Sequence, residues 1–391
     1  MGLRTLVARV AARRVHVLVV GVPGRRSLET AVDRTIRERG WVVADAPADA
    51  DVLAVCGSPG PQLAEAIDRV WEQLPGPRVR VTIDDRRQID TALDNAAVEL
   101  MDSDRHRDDA HRRNDHPGGE GDASGHDHAD HDEDAQMDHG SMAPAGIPLA
   151  EGADDRDGLE MDVAHLPLGP ILNNWPAGVV VRCTLHGDVV VDSHVEVLDS
   201  DALPAAEADA TPELVHHCSV IIDVLALAGA ETAERQARAV RDHLLDSAHD
   251  RARTELAALR RTIRRSPILR WSLRDLGVLE HDRAQTLGVA DHRPALTGDT
   301  YDRMLARLEA IGGDTGGVDP EGRPFRTPPR RRSRASQGSM PELLPELIDG
   351  LDLAATRLVI AGLGIDAVAA PVDSEGRGHQ DRPSHRGHHH G

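Results

Sequence analysis

The chain contains no lysine: all 45 basic residues among its 391 are arginine. Aromatics are almost as scarce. Only Trp41, Trp71, Trp175, Trp271, Tyr301 and Phe325 occur, so its cores must be built from Val, Leu, Ile and Ala. The three cysteines, Cys56, Cys183 and Cys218, lie far apart and form no CxxC pair. This argues against a disulfide framework and fits a reducing compartment. No apolar run approaches the roughly 20 residues needed to span a bilayer. Residues 1–20 carry Arg4, Arg9, Arg13 and Arg14 before a short apolar stretch, without the longer apolar region and small-residue cleavage site of a signal peptide. A cytoplasmic protein is expected, with Leu3, Leu6, Val7 and Val10 beside those arginines suited to peripheral contact with a membrane partner or an anionic membrane surface. A net charge of −21 argues against nucleic acid, whose phosphates reward clustered positive charge.

The charge is unevenly placed. Residues 101–158 hold 17 acids and 5 arginines, a balance of −12. This segment is rich in Asp, His, Gly and Met and cannot bury enough apolar area to offset the entropy of ordering, so it reads as a disordered linker. It separates two patterned regions. Over residues 1–100, a β-branched run at 15–20 and further strand signals at 41–44, 51–56 and 79–83 alternate with helical stretches at 27–39 and 61–74, which implies a parallel sheet covered on both faces.

Residues 159–370 open with a hairpin, 179–185 and 189–198, turning at His186-Gly187. Thr211 and Pro212 then start a helix that is apolar nearly all round and ends near Gly229. Apolar spacing from Ala233 to Ile263 predicts one long amphipathic helix limited by Pro267, and a further helix covers 301–311. Residues 312–340 read as an exposed loop and 343–365 as a last helix and strand. A His-rich tail, 371–391, ends in His388-His389-His390 and is expected to be disordered.

The stretch from Asp51-Val-Leu-Ala-Val-Cys-Gly through Val70-Trp-Glu-Gln-Leu-Pro-Gly-Pro-Arg78 resembles the cluster-carrying small subunit of respiratory complex I and of nickel–iron hydrogenases. The resemblance covers about 70 residues and implies a flavodoxin-like N-terminal domain. More weakly, Gly169-Pro170, Pro176-Ala-Gly178 and Leu185-His-Gly-Asp-Val-Val-Val-Asp192 resemble the opening hairpin of the quinone-site large subunit, and Arg357–Asp366 its closing strand. The expected fold class is therefore α/β, followed by the linker and a helix-dominated α+β domain.

The family's functional residues are missing. Alignment on Glu29 puts Arg25 and Arg26 where the family has a tandem Cys pair, with a one-residue length difference, and Arg86 falls near the place of a further cluster Cys. An iron–sulfur cluster needs four converging thiolates, and this domain has only Cys56. Ala177 stands where the large subunit carries the His that meets the quinone headgroup. The resemblance then implies a cofactor-free subunit, without activity of its own, docking on membrane subunits of a complex I-like or antiporter-like assembly.

Two other readings stand beside it. His126, His128, His131 and His139, with neighbouring carboxylates and Met137 and Met142, offer weak ligands for nickel, zinc or copper and would suit a metal-binding or delivery protein. A quinone-reactive oxidoreductase would require a cofactor for which no binding motif is visible. Gly21-Val-Pro-Gly24 lacks the full spacing of a dinucleotide loop and reads as a plain strand-to-helix turn. The cysteines read as small core residues, His216-His217 as paired surface histidines, and Asp84-Asp85-Arg86-Arg87 as a solvated loop. No catalytic triad or carboxylate pair stands out.

Overall fold

A computed structural model describes residues 14–115, 151–154, 160–199, 212–286, 296–314 and 340–365. The first half runs β1 (His16–Gly21), α1 (Arg26–Glu38), β2 (Val42–Val43), β3 (Val52–Cys56), α2 (Pro61–Gln73), β4 (Val79–Ile83), α3 (Ile89–Leu100) and α4 (Ser103–Asp115). All pairings among β1–β4 are parallel, in the order β2-β1-β3-β4. This is the α/β arrangement expected, and its order is consistent with a flavodoxin-like domain.

The central strand β3, Val-Leu-Ala-Val-Cys, is buried along its whole length. Its side chains alternate between two cores, as strand geometry requires. Val52, Ala54 and Cys56 face Leu28, Val32 and Ile36 of α1 and Leu93 of α3. Leu53 and Val55 face Leu63 and Ile67 of α2.

The second half contains β5 (Glu151–Asp154), β6 (Glu160–Leu168), β7 (Val179–His186) and β8 (Val189–Val197), an antiparallel sheet in sequence order. Its helices are α5 (Glu213–Leu227), α6 (Glu231–Leu245), α7 (His249–Arg265), α8 (Pro267–Leu273), α9 (His281–Thr286), α10 (Thr300–Asp314), α11 (Met340–Ile348) and α12 (Leu353–Leu363). Val181, Leu185 and Val190 of the sheet pack with Leu343 and Leu347 of α11 and Val359 of α12. A second core joins α5, α6, α7, α8 and α10 through Leu225, Val240, Leu259, Leu273 and Leu308.

The second half departs from its sequence pattern at several points. The hairpin belongs to a four-stranded sheet, and because His186 pairs with Val189 the turn is Gly187-Asp188. Pro212 is the cap of α5 and not its first residue, and Thr211 lies outside the described residues. The single long helix is two, α6 and α7, broken where Ser247 takes a left-handed φ of 57°. The apolar spacing persists across the break because both helices face the same core.

The closing strand is helix α12, which begins at Asp352, whose carboxylate accepts from Ala355 N at 2.7 Å, and ends at Gly364 with φ 63°. Over residues 358–363 this helix is buried all round, which produces the same unbroken apolar run as a buried strand. Both ends of the segment 101–158 form regular elements instead of a disordered linker, α4 at its start and β5 near its close. Helix α4 has no apolar face but folds back on the first half, where Asp109 accepts from Arg78 Nε at 3.2 Å. Arg78 in turn lies over the Trp71 ring at 4.3 Å.

Candidate functional site

In parallel α/β sheets the strands' carboxyl ends, with the helix N-termini that follow them, form the usual ligand crevice. Here Gly21, Cys56 and Ile83 end their strands side by side. The loops leaving them bring Arg25, Arg26 and Arg86 together. Gly57, with φ 110°, lies against the Arg25 stem, and a Cβ there would come within 2.9 Å of Arg25 Cγ. Arg86 donates from Nη2 to the Ser27 carbonyl at 3.3 Å. Arg26 reaches across to form an ion pair with Asp223 of α5. The three positions that the resemblance assigns to thiolates thus share one edge of the sheet and carry guanidinium groups.

An iron–sulfur cluster does not fit these residues. The three thiols sit on β3, β7 and α5, all buried. Burial pushes Cys56 well above the ordinary thiol range, and the nearby carboxylates of Glu29 and Asp33 push it further. Burial likewise raises Cys183 to about 11 and Cys218 to about 12. Protonated, separated thiols are neither cluster ligands nor ready nucleophiles, which agrees with reading them as core residues.

The turn after β1 is equally unsuited to phosphate. A Cβ on Gly21 would lie 2.9 Å from Glu29 Oε2 and 3.3 Å from Ala177 Cβ. A carboxylate therefore occupies the first turn of α1, where an anion would bind.

The second half covers this edge through two loops. In residues 169–178, Gly169 takes φ 89°, and a Cβ there would collide with the Val179 carbonyl at 2.3 Å. The Trp175 indole donates to that carbonyl at 2.7 Å and pins the loop. Asn173 then donates to the Ala44 carbonyl at 2.7 Å and to Asp45 at 2.9 Å, while its own carbonyl accepts from Arg357 at 3.0 Å. The second loop carries Asp199, whose carboxylate accepts from the N–H groups of Gln62 and Leu63 at 3.1 and 3.0 Å. Gln62 Oε1 accepts in return from Asp199 N at 3.0 Å. Helix α2 is thus capped by the other half of the chain.

Beside the loops, α1 lies against α5 and α6 through charged groups. Asp33 accepts from Arg37 at 3.1 Å, from Arg238 at 3.0 Å and from Arg241 at 2.5 Å. Burial alone would raise the Asp33 carboxyl; Arg241, Arg238 and Arg37 together outweigh it and hold the group well below the usual range. Arg37 also meets Asp242 at 3.2 Å, and Arg34 grips Asp246 with both terminal nitrogens at 2.8 and 3.1 Å.

A cavity of about 350 Å³ remains between these contacts, walled by Glu29, Asp33, Asp45, Asn173, Trp175 and Arg238 among others. Among the described residues no histidine or cysteine lines it, and Ser219 at its wall donates to the Val215 carbonyl at 3.0 Å. Its charges are mostly tied in ion pairs, and among the described residues it offers no nucleophile with a base beside it.

Other candidate residues fall elsewhere. His126, His128, His131 and His139 lie outside the described residues, among which no group of three or more His, Cys, Asp or Glu could hold a metal ion. His216 and His217 are half-buried rather than surface residues, because α5 is packed nearly all round, and His217 Nε2 stands 3.7 Å from Glu213. Asp84 and Asp85 are exposed as expected; they accept from Ser58 and from the Arg87 N–H. Among the described residues no helix is long and apolar enough to cross a membrane. No protein-family model matches the chain, and no curated protein is significantly similar to it.

Sequence reasoning missed the Asp33 network entirely. Its only signal was the placing of charges beside apolar stripes on both helices, and nothing in the spacing says which carboxylate meets which arginine.

Proposed function

We propose that the chain is a cofactor-free relative of the hydrophilic core of complex I-like enzymes, with a flavodoxin-like first domain, and that it works as a docking component of a membrane-bound complex I-like or antiporter-like assembly. One observation carries this reading. Arg25, Arg26 and Arg86 converge at the carboxyl edge of the parallel sheet, and Arg26 is spent on an ion pair with Asp223 of the second half. Where relatives would hold a redox centre between two subunits, this chain holds its own two halves together.

The asymmetry of cost supports it. A guanidinium at a thiolate position cannot take over the bond to iron, because it stays protonated and offers donors only. The same guanidinium paired with a carboxylate across an interface fixes register between the halves.

The test is elemental analysis and a visible spectrum of untagged protein purified anaerobically. The expected result is protein without stoichiometric iron and without absorption in the visible region. Stoichiometric iron with a cluster-type spectrum would overturn the reading. Co-purification from detergent extracts with multi-spanning antiporter-type subunits is the expected positive result for docking.

A further inference from the structure

Residues 260–274 contain six arginines and no acid, in a chain whose net charge is −21. The segment spans the end of α7 and all of α8. Helix α8 starts at Pro267, and the Ser266 hydroxyl caps it by accepting from Leu269 N at 3.2 Å. Leu269 and Leu273 turn inward and are buried in the helical core. This fixes which face looks out. Ile268 is 74% exposed and Trp271 82% exposed, the two largest values among the exposed apolar residues. Three residues apart on one helix, they share a side.

Trp271 differs from the other tryptophans. Trp175 is buried, while Trp41 and Trp71 are partly buried and lie under Arg39 and Arg78. Trp271 stands out from the surface, in a stretch of chain rich in arginine. Arg261, Arg264, Arg265, Arg270 and Arg274 are all exposed. Of these, Arg261, Arg265, Arg270 and Arg274 make no ion pair among the described residues, Arg274 lying over the Tyr301 ring, whereas elsewhere arginines are regularly matched to carboxylates.

We infer that α8 and the end of α7 form a peripheral membrane-binding face for anionic phospholipid. Charge complementarity selects the occupant: unpaired arginines on a strongly acidic protein call for a negative surface, and guanidinium groups suit phosphate geometry. The apolar part selects a bilayer over a protein. Two side chains that protrude from a convex helix, in a stretch of chain rich in arginine, can dip below the headgroups while their neighbours stay at phosphate level. Tryptophan is the side chain most at home at that depth. A stable protein interface would ask for a broader, better-packed apolar core than Ile268 and Trp271 supply. This inference is independent of the cofactor-free reading, since it rests on a different surface.

The full-length protein should float with phosphatidylcholine vesicles that contain phosphatidylglycerol, and not with phosphatidylcholine alone. Raising the ionic strength should weaken the binding, because exposed charges are screened. The double variant Ile268→Ser with Trp271→Ser and, separately, Arg265→Gln with Arg270→Gln should each reduce binding by about tenfold. All four positions are exposed, so thermal melts should match the wild type. Unchanged binding by both variants overturns the inference, as does equal binding to neutral vesicles. If residues 1–13 prove sufficient for all binding, it is overturned in favour of the chain's start. If vesicles of neither composition bind, an acidic protein face replaces lipid as the partner and the inference also falls.

Discussion

Asp33 and Arg241 meet across the boundary between the two halves, with Nη2 2.5 Å from the carboxylate and the Arg241 side chain only 5% exposed. Arg238 and Arg37 close on the same carboxylate, so one acid on α1 collects three guanidiniums, two of them from α6. Removing the acid leaves positive charges facing one another in a mostly buried contact.

Asp33→Asn should therefore destabilise the protein by about 3–5 kcal/mol, the range for breaking a buried ion pair from one side. Urea unfolding followed by circular dichroism measures it. A loss below about 0.5 kcal/mol would mean that the contact behaves like an ordinary surface pair.

The same residue sets an acid limb. Its carboxyl is held below its unfolded range, so its contribution to stability is fully present above the unfolded value of about 3.9 and is lost as pH falls towards the folded value. Stability measured by denaturant at successive pH values should fall below about pH 4. That fall should be shallower in Asp33→Asn. Identical acid limbs in the two proteins would assign the effect to other carboxylates.

The Asp199 cap gives a third expectation. Asp199→Ala frees the N–H groups of Gln62 and Leu63 and should cost about 1–2 kcal/mol. Gly60→Ala should act on the same contact by crowding, since a Cβ at Gly60 would lie 2.3 Å from Asp199 Cγ. If the two changes act through one contact, the double variant should lose less than the sum of the singles.

Thiol chemistry supplies a fourth. Burial raises all three cysteines above the ordinary range, so the native protein should react slowly or not at all with a thiol-specific chromophore at pH 8. All three thiols should react after unfolding. Rapid native labelling of Cys56 would show that the edge of the sheet opens in solution.

A fifth concerns Arg303, which is wholly buried and donates to the carbonyls of Gly277 and Gly298 at 2.8 and 2.7 Å and to Thr300 Oγ1 at 2.8 Å. Lysine cannot reproduce that fork. Arg303→Lys should cost about 2 kcal/mol or more in thermal unfolding, and a neutral result would show that the three acceptors find water instead.

Much of the first half was legible because its strands are short β-branched runs separated by helices with apolar faces. Val17, Leu53 and Ile67 occupy the buried positions that their spacing implied. The second half was harder to read. Ala233 to Ile263 keeps one period across a break set by the single backbone conformation of Ser247. Leu358 to Leu363 is apolar on all sides, which removes the period that separates helix from strand. Helix α4 is held by Arg78 and Asp109 rather than by a stripe, so a hydrophobic pattern could not reveal it. At the candidate site the three arginines could be placed along the sequence, whereas their pairing with Asp223 and with the Ser27 carbonyl depends on how two distant segments meet.

The covalent continuity of the two halves has a thermodynamic consequence. Partners carried on one chain meet at an effective concentration on the order of millimolar. A face made of ion pairs, which would let separate subunits drift apart as salt rises, can then remain closed. Ionic strength should thus act on the melting temperature of this protein and leave the ratio of its two halves fixed at one to one.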